Sequence, residues 1–406
     1  MSFSNEVVAY GDVLVSMSSS YNRIWNDQGS GGSYDVQFWR YHNPGTGFRP
    51  LGHVVMPHYN DINSKRGTIV VANNPDNKGE PAFKSPTGYN KIWIDQGSGA
   101  TQDGGLWEPI PPSGYKAIGH LCWESWSTPP LDAVWCVRND LAGDGHYGER
   151  IWYDKGTGAT VDCSVWEVKP AKTSTYGSEN IPIFTDCFLS NNRWEQPSIT
   201  PRVLLLPLEN NYQEFDPPTP VLDPNDLPNV GDEFYKIEQC RAKLPYVFFF
   251  PADDSRCVDR IDKPFCNLIK IASLTVKDVV ENRSNSNQPQ EESIEMGISE
   301  SQSKELEETV SVGMSSTIGV MGKLFGAELS VSLNYQFTSR SSHSYEEYRI
   351  HKKTQILNTS PHYANVVCSK RLFIRATRSD ETAVVEEVAF HANENGWRIH
   401  GLDLPH

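Results

Sequence analysis

The feature that most constrains the fold is a block that occurs three times. It reads Tyr21-Asn22-Arg23-Ile24-Trp25-Asn26-Asp27-Gln28-Gly29-Ser30-Gly31, then Tyr89-Asn90-Lys91-Ile92-Trp93-Ile94-Asp95-Gln96-Gly97-Ser98-Gly99, then Glu149-Arg150-Ile151-Trp152-Tyr153-Asp154-Lys155-Gly156-Thr157-Gly158. An aromatic strand is expected after each block, at 36–41, 106–110 and 165–168. A second signature, Gly47-Phe48-Arg49-Pro50-Leu51-Gly52-His53, returns as Gly114-Tyr115-Lys116-Ala117-Ile118-Gly119-His120. A third, Ile69-Val70-Val71-Ala72-Asn73, returns as Val134-Trp135-Cys136-Val137-Arg138-Asn139. Each repeat reads as several short strands joined by glycine-rich turns. One such unit cannot bury its own apolar face. Three about a pseudo-threefold axis can, with Trp25, Trp93 and Trp152 as anchors of the core.

The expectation is an all-β chain that opens with a three-repeat, β-prism-like receptor- or glycan-binding domain over residues 1–172. The Ile-Trp-x-Asp-x-Gly blocks, with 107–119 and 129–138, resemble the plant and fungal vacuolar-protein-sorting-like proteins. The likeness to β-prism lectins is architectural. The Asp-x-Gly-[Ser/Thr]-Gly loops are the ligand-binding candidates: Asp27 and Gly29, Asp95 and Gly97, Asp154 and Gly156. An exposed carboxylate beside unhindered backbone amides can hydrogen-bond vicinal sugar hydroxyls, and three copies make binding multivalent. The competing reading is that each aspartate bonds its own turn amides. One carboxylate per loop is few for calcium, which takes ~6–8 oxygens, so no metal and no cofactor is expected.

A second constraint lies at 309–338. Val310, Val312, Met314, Ile318 and Val320 take alternate positions, interrupted by Ser316; Ala327, Leu329, Val331, Leu333, Tyr335 and Phe337 do the same further on. Period two marks strands with one apolar and one polar face. Gly322-Lys323-Leu324-Phe325-Gly326 between the runs supplies a turn. Each run is about the ~9–11 residues that a tilted transmembrane strand needs. A half-buried hairpin of a soluble sheet fits the alternation equally.

Composition narrows the function classes. The formal net charge is −15 over 406 residues, which repels phosphate backbones and excludes nucleic acid as the expected partner. Anionic lipid is a poor first contact for the same reason, which favours a neutral receptor such as a glycan or a protein. No apolar run reaches the ~18 residues of a membrane helix. The first ten residues lack the basic and apolar regions of a secretory signal. A soluble chain, secreted or released and acting at a target membrane, is therefore expected. The eight cysteines contain no C-x-x-C pair, which gives little support to zinc or redox chemistry and leaves free thiols and disulfides both open. His53 and His120 share a repeat position and read as structural. No G-x-S-x-G, H-E-x-x-H or P-loop is present, so the chain is not expected to be an enzyme.

Residues 173–239, rich in Pro, Asn and Asp, read as a connector. A short buried strand is expected at 244–250 and longer ones at 268–280, 294–303, 345–357, 366–378 and 384–391, with a polar break over 282–292. Val279-Val280-Glu281-Asn282, Gln288-Pro289-Gln290, the Ser/Thr track 301–317, the run 323–335 and Pro361 before a strand resemble the aerolysin superfamily, closest to its epsilon-toxin and mosquitocidal-toxin branch. The resemblance implies that 240–406 is a pore-forming domain with an insertion hairpin at about 305–338. It implies a homo-oligomeric β-barrel in the target membrane lipid, reached after binding a cell-surface glycan or glycoprotein. Val310, Val312, Met314, Ile318, Val320, Leu324, Phe325, Leu329, Val331, Leu333, Tyr335 and Phe337 would enter the membrane. Ser311, Thr317, Glu328, Ser330, Ser332, Asn334 and Gln336 would line the pore. The competing class is a multivalent lectin or adhesin without pore formation.

Overall fold

The structure is a computed structural model that describes every residue except 1–3, 5, 43–46, 171–179, 208–216, 249–250, 297–350, 392–396 and 406. The fold is all-β, with one short α-helix, Ser255–Val258, among the described residues. The chain divides into two units. The first is built from Met1–Glu209 with Pro245–Pro264.

In the first unit each sequence block forms the leading strand of a three-stranded antiparallel sheet. Tyr21–Asn26 pairs with Gln37–Tyr41, which pairs with Val54–Met56. Gly88–Ile94, Gly105–Ile110 and Leu121–Trp123 repeat the pattern. So do the second half of Ala142–Tyr153, Ser164–Pro170 and Phe188–Asn191. The register slips at one equivalent place in all three leading strands, between Arg23 and Trp25, Lys91 and Trp93, and Arg150 and Trp152. A bulge re-aims the side chain that follows it, and here that side chain is the repeated tryptophan. Trp25, Trp93 and Trp152 are buried together with Phe38, Leu106 and Val165 from the second strands. Their rings meet edge to face at 5.4, 5.9 and 6.2 Å, the arrangement that ring quadrupoles favour. At ~25 cal/mol per Å², burying ~150–250 Å² each gives at most about 4–6 kcal/mol per ring.

A smaller sheet completes each repeat: Val8–Tyr10, Val13–Ser18 and Thr68–Asn73; Phe83–Lys84, Cys136–Arg138 and Tyr115–Lys116; Asn180–Ile183, Arg202–Pro207 and the start of Ala142–Tyr153. The expected connector 173–239 is therefore corrected: its apolar islands are strands of the third repeat. The expected strand at 244–250 is corrected as well. The strand Glu233–Pro245 ends there, and a 3-10 turn, Tyr246–Phe248, buries its three side chains. Pro245–Pro264 packs with the first unit rather than with 265–406, partly because Ala252 O accepts a 2.7 Å bond from Gly67 N.

The second unit is made of long strands. Phe265–Asn282 pairs with Tyr363–Arg378 over nearly their full lengths. Glu233–Pro245 and Ala383–His391 flank them, and Trp397–Asp403, not expected from the sequence, pairs with the first half of Tyr363–Arg378. A separate two-stranded ribbon joins Gln288–Met296 to His351–Thr359. It starts inside the expected polar break, which is shortened to 283–287. Buried Ser273, Thr275, Lys270 and Lys370 share this sheet with Leu274, Val276, Val366 and Cys368. Cys122, Cys136, Cys163, Cys187, Cys257, Cys266 and Cys368 are buried free thiols.

Candidate functional site

The three Asp-x-Gly loops are closed on one another in a ring within the first unit. Trp25 Nε1 donates to Gln102 O of the second repeat at 2.8 Å, Trp93 Nε1 to Val161 O of the third at 2.8 Å, and Trp152 Nε1 to Tyr34 O of the first at 3.0 Å. The backbone repeats the cycle: Thr101 N bonds Gln28 O at 2.9 Å, Thr160 N bonds Gln96 O at 3.0 Å, and Ser33 N bonds Lys155 O at 2.9 Å. Gly29, Gly97 and Gly156 stand at φ +91°, +86° and +88°. A Cβ on Gly97 would lie 3.2 Å from Gly158 O. Backbone turn and neighbouring loop therefore both select glycine.

The aspartates do not stand where the sugar-binding reading placed them. The expected exposed carboxylate is corrected: Asp27, Asp95 and Asp154 are buried, at 3%, 4% and 4% exposure. Each clips its loop shut by accepting from a backbone amide nine residues on. Val36 N reaches Asp27 Oδ1 at 3.0 Å, Gly104 N reaches Asp95 Oδ1 at 3.0 Å, and Cys163 N reaches Asp154 Oδ1 at 2.9 Å. Each also receives an aromatic donor from a later loop: Tyr59 Oη at 2.6 Å, Trp126 Nε1 at 2.6 Å and Trp194 Nε1 at 2.7 Å. Burial pushes the Asp27 and Asp154 carboxyls above the ordinary range. These three rings were not singled out from the sequence, although Trp126 and Trp194 are exposed.

Beside Tyr59 lies an open depression of about 450 Å³. Tyr21, Gln37 and Trp39 are its buried floor; Asn22, Arg23, Tyr59, Asp61 and Asn63 are its accessible rim. Tyr21 N bonds Asn63 Oδ1 at 2.7 Å, and Asn63 N and Nδ2 bond Asp61 Oδ1 at 3.0 and 2.8 Å, so this rim is tied to the sheet edge.

His53 and His120 are buried, and burial lowers both pKa values to about 3. His120 Nδ1 takes a 2.9 Å bond from Ser190 N. At the equivalent place the third repeat has Asp186-Cys187 instead of Gly-His. Its Cys187 stands against Gly52 and Gly119, whose missing Cβ atoms leave it room. Among the described residues no group of three His, Cys, Asp or Glu gathers to hold a metal.

In the second unit, the ribbon ends with Met296 opposite His351. The residues expected to enter the membrane or line a pore, from Val310 to Phe337 and from Ser311 to Gln336, lie outside the described residues. Among the described residues no helix is long and apolar enough to cross a membrane, which leaves open a barrel crossing with strands.

The first unit is thus a threefold all-β body closed by interlocked glycine loops. The family profile described as vacuolar protein sorting-associated protein 62 (Vps62) matches residues 1–222, more than half of the chain, and the protein belongs to that family. The chain is also similar to two solved structures. GNIP1Aa from Chromobacterium piscinae is 25% identical, with a TM-score of 0.37, over 46% of this chain and 34% of that one. The chain therefore spans about a third of its length. Cry35Ab1 is 8% identical, with a TM-score of 0.33, over 97% of this chain and 90% of that one. The comparison with curated proteins finds no match.

Proposed function

We propose that the protein is a β-pore-forming toxin or defence protein. Its first unit binds a cell-surface receptor, a glycan or glycoprotein. Bound subunits oligomerise, and the segment 309–338 of each inserts as a hairpin that closes with its copies into a barrel. Val310, Val312, Met314, Ile318, Val320, Leu329, Val331, Leu333, Tyr335 and Phe337 face lipid in that state. Ser311, Thr317, Glu328, Ser330, Ser332, Asn334 and Gln336 face water, and Leu324 and Phe325 lie at the tip. Glu328 and the acidic run 305–308 favour cation passage.

The observation that carries this reading is the register of the ribbon. Met296 and His351 are direct antiparallel partners, so the segment between them leaves and re-enters the unit at adjacent points. A stretch with two alternating runs, a central glycine-bounded turn and adjoining ends meets the geometric requirement of a hairpin. The second reading is a multivalent lectin or adhesin, favoured by the threefold repetition of the first unit's surface. Calcein release from vesicles made with lipid extracts of susceptible cells separates the two. Release supports the pore; agglutination without release supports the lectin.

A further inference from the structure

The three repeats share a surface feature that the loop aspartates explain only in part. Arg23, Lys91 and Arg150 occupy the same place in each leading strand, just before the bulge. They lie cross-strand from Trp39, Trp107 and Trp166. All three are exposed. Arg23 and Lys91 have no ion-pair, hydrogen-bond or ring partner among the described residues. Arg150 stacks on Tyr153 at 3.9 Å and reaches Trp194 O at 3.3 Å, with no carboxylate partner. In a chain of net charge −15, three unneutralised cations at one repeated position call for an explanation.

Each repeat also carries a ring whose polar end is already spent, and in the first and third repeats that ring stands beside the cation. Tyr59, Trp126 and Trp194 turn their O–H or N–H inward onto Asp27, Asp95 and Asp154. That bond fixes the ring, while Trp126 and Trp194 stay exposed and Tyr59 half-buried. In the first repeat, Arg23 and Tyr59 line the same depression, with Asn22 and Asn63 on its rim. In the third, Arg150 touches the backbone of Trp194 itself. A fixed apolar ring beside amide donors and acceptors suits a sugar ring, whose C–H face is apolar and whose edge carries hydroxyls. The unpartnered guanidinium of Arg23 suits a carboxylate, which it can hold by two parallel bonds; the Lys91 ammonium offers a point charge, and Arg150, already stacked on Tyr153 and bonded to Trp194 O, offers its remaining N–H donors. Asp61 on the same rim has its Oδ1 engaged by Asn63.

We propose that these three sites, Arg23 with Tyr59, Lys91 with Trp126 and Arg150 with Trp194, bind a saccharide that bears a carboxylate. This rests on the receptor-binding reading above and names its chemistry. The overall negative charge does not oppose it, because beyond ~8 Å physiological salt screens distant charges while the facing cation acts at contact. Threefold repetition raises avidity for a clustered glycan surface.

The test titrates the intact protein with sialyllactose and digalacturonate, with lactose and cellobiose as neutral controls, and repeats this for R23Q/K91Q/R150Q. Near-UV circular dichroism checks that the variant keeps its tryptophan core. The expected result is that an acidic saccharide binds and that the triple variant weakens it at least about tenfold. K91R should retain binding. Equal affinity for neutral and acidic sugars, unchanged affinity in the triple variant, or a loss seen only with phosphatidylserine vesicles overturns the proposal. Calcein release, run alongside, keeps the readings apart. Binding without release leaves this site standing and removes the pore; release that persists in the variant without saccharide binding does the reverse.

Discussion

The two units solve the same problem, an all-β core, by opposite means. The first uses short strands of three to seven residues in most cases and recovers a core by repeating one tryptophan three times. The second uses two strands of 18 and 16 residues, paired along their length. It buries Ser273, Thr275, Lys270 and Lys370 among its apolar positions. Side-chain identity specifies the first; backbone pairing specifies the second. A body held by particular side chains presents fixed surface features three times over. A body held by ladder bonds tolerates polar residues on both faces.

Removing an anchor tests this contrast most severely. Trp93→Ala should cost the first unit ~3–5 kcal/mol and abolish the near-UV signal of the three coupled rings. A single substitution of Ser273 to Ala in the long sheet should move a denaturation midpoint far less. Next in size is Asp95→Ala, which leaves the buried Gly104 N and the part-buried Trp126 Nε1 without their acceptor. A loss of about 1–3 kcal/mol is expected, with a red shift of Trp126 emission as its ring is released. Gly97→Ala places a side chain at φ +86° against Gly158 O and should cost ~1–2 kcal/mol, read by thermal melting.

A further effect is one of pH, and the two units should respond in opposite directions. His53 and His120 have folded pKa values of about 3, far below their unfolded value of about 6.5. The stability they support is complete above the unfolded value and falls as pH drops through it. Glu292 is the reverse. Burial and the neighbouring Asp278 raise its carboxyl above the ordinary range, so the folded ribbon holds the proton more tightly. Its contribution is present at low pH and is lost as pH rises. Between pH 7 and pH 5, with the intrinsic exchange rate divided out, amide protection should therefore fall near His120 and rise along Gln288–Met296. Parallel changes in both places would contradict the assignment.

The same contrast explains what the sequence made legible. Trp25, Trp93 and Trp152, with their glycine loops, were readable because identity repeats at fixed spacing. Tyr59, Trp126 and Trp194 were not, because they follow their aspartates by 32, 31 and 40 residues on loops of unlike sequence. Cys187 hid the third copy of the Gly-His turn. Apolar islands within 180–207 were readable, but the prolines and asparagines around them looked like a linker. Gln288-Pro289-Gln290-Glu291-Glu292 carries no alternation, so a strand there was invisible to periodicity; pairing with His351–Thr359 supplies what side chains do not. The carboxylates were expected to face outward and are buried, since a pattern of residues does not reveal which way a loop folds over them.

The central claim is that the segment 309–338 enters the target membrane as a hairpin, and environment-sensitive labels test it most directly. Single cysteines introduced at Leu329, Leu333, Ser330 and Ser332 in a Cys240→Ser background can be tagged selectively, because Cys122, Cys136, Cys163, Cys187, Cys257, Cys266 and Cys368 are buried. After lysis of receptor-bearing vesicles, the account predicts lipid-quenched, blue-shifted emission at Leu329 and Leu333 and water-exposed emission at Ser330 and Ser332. Water-exposed emission at all four positions in vesicles that have leaked would contradict it.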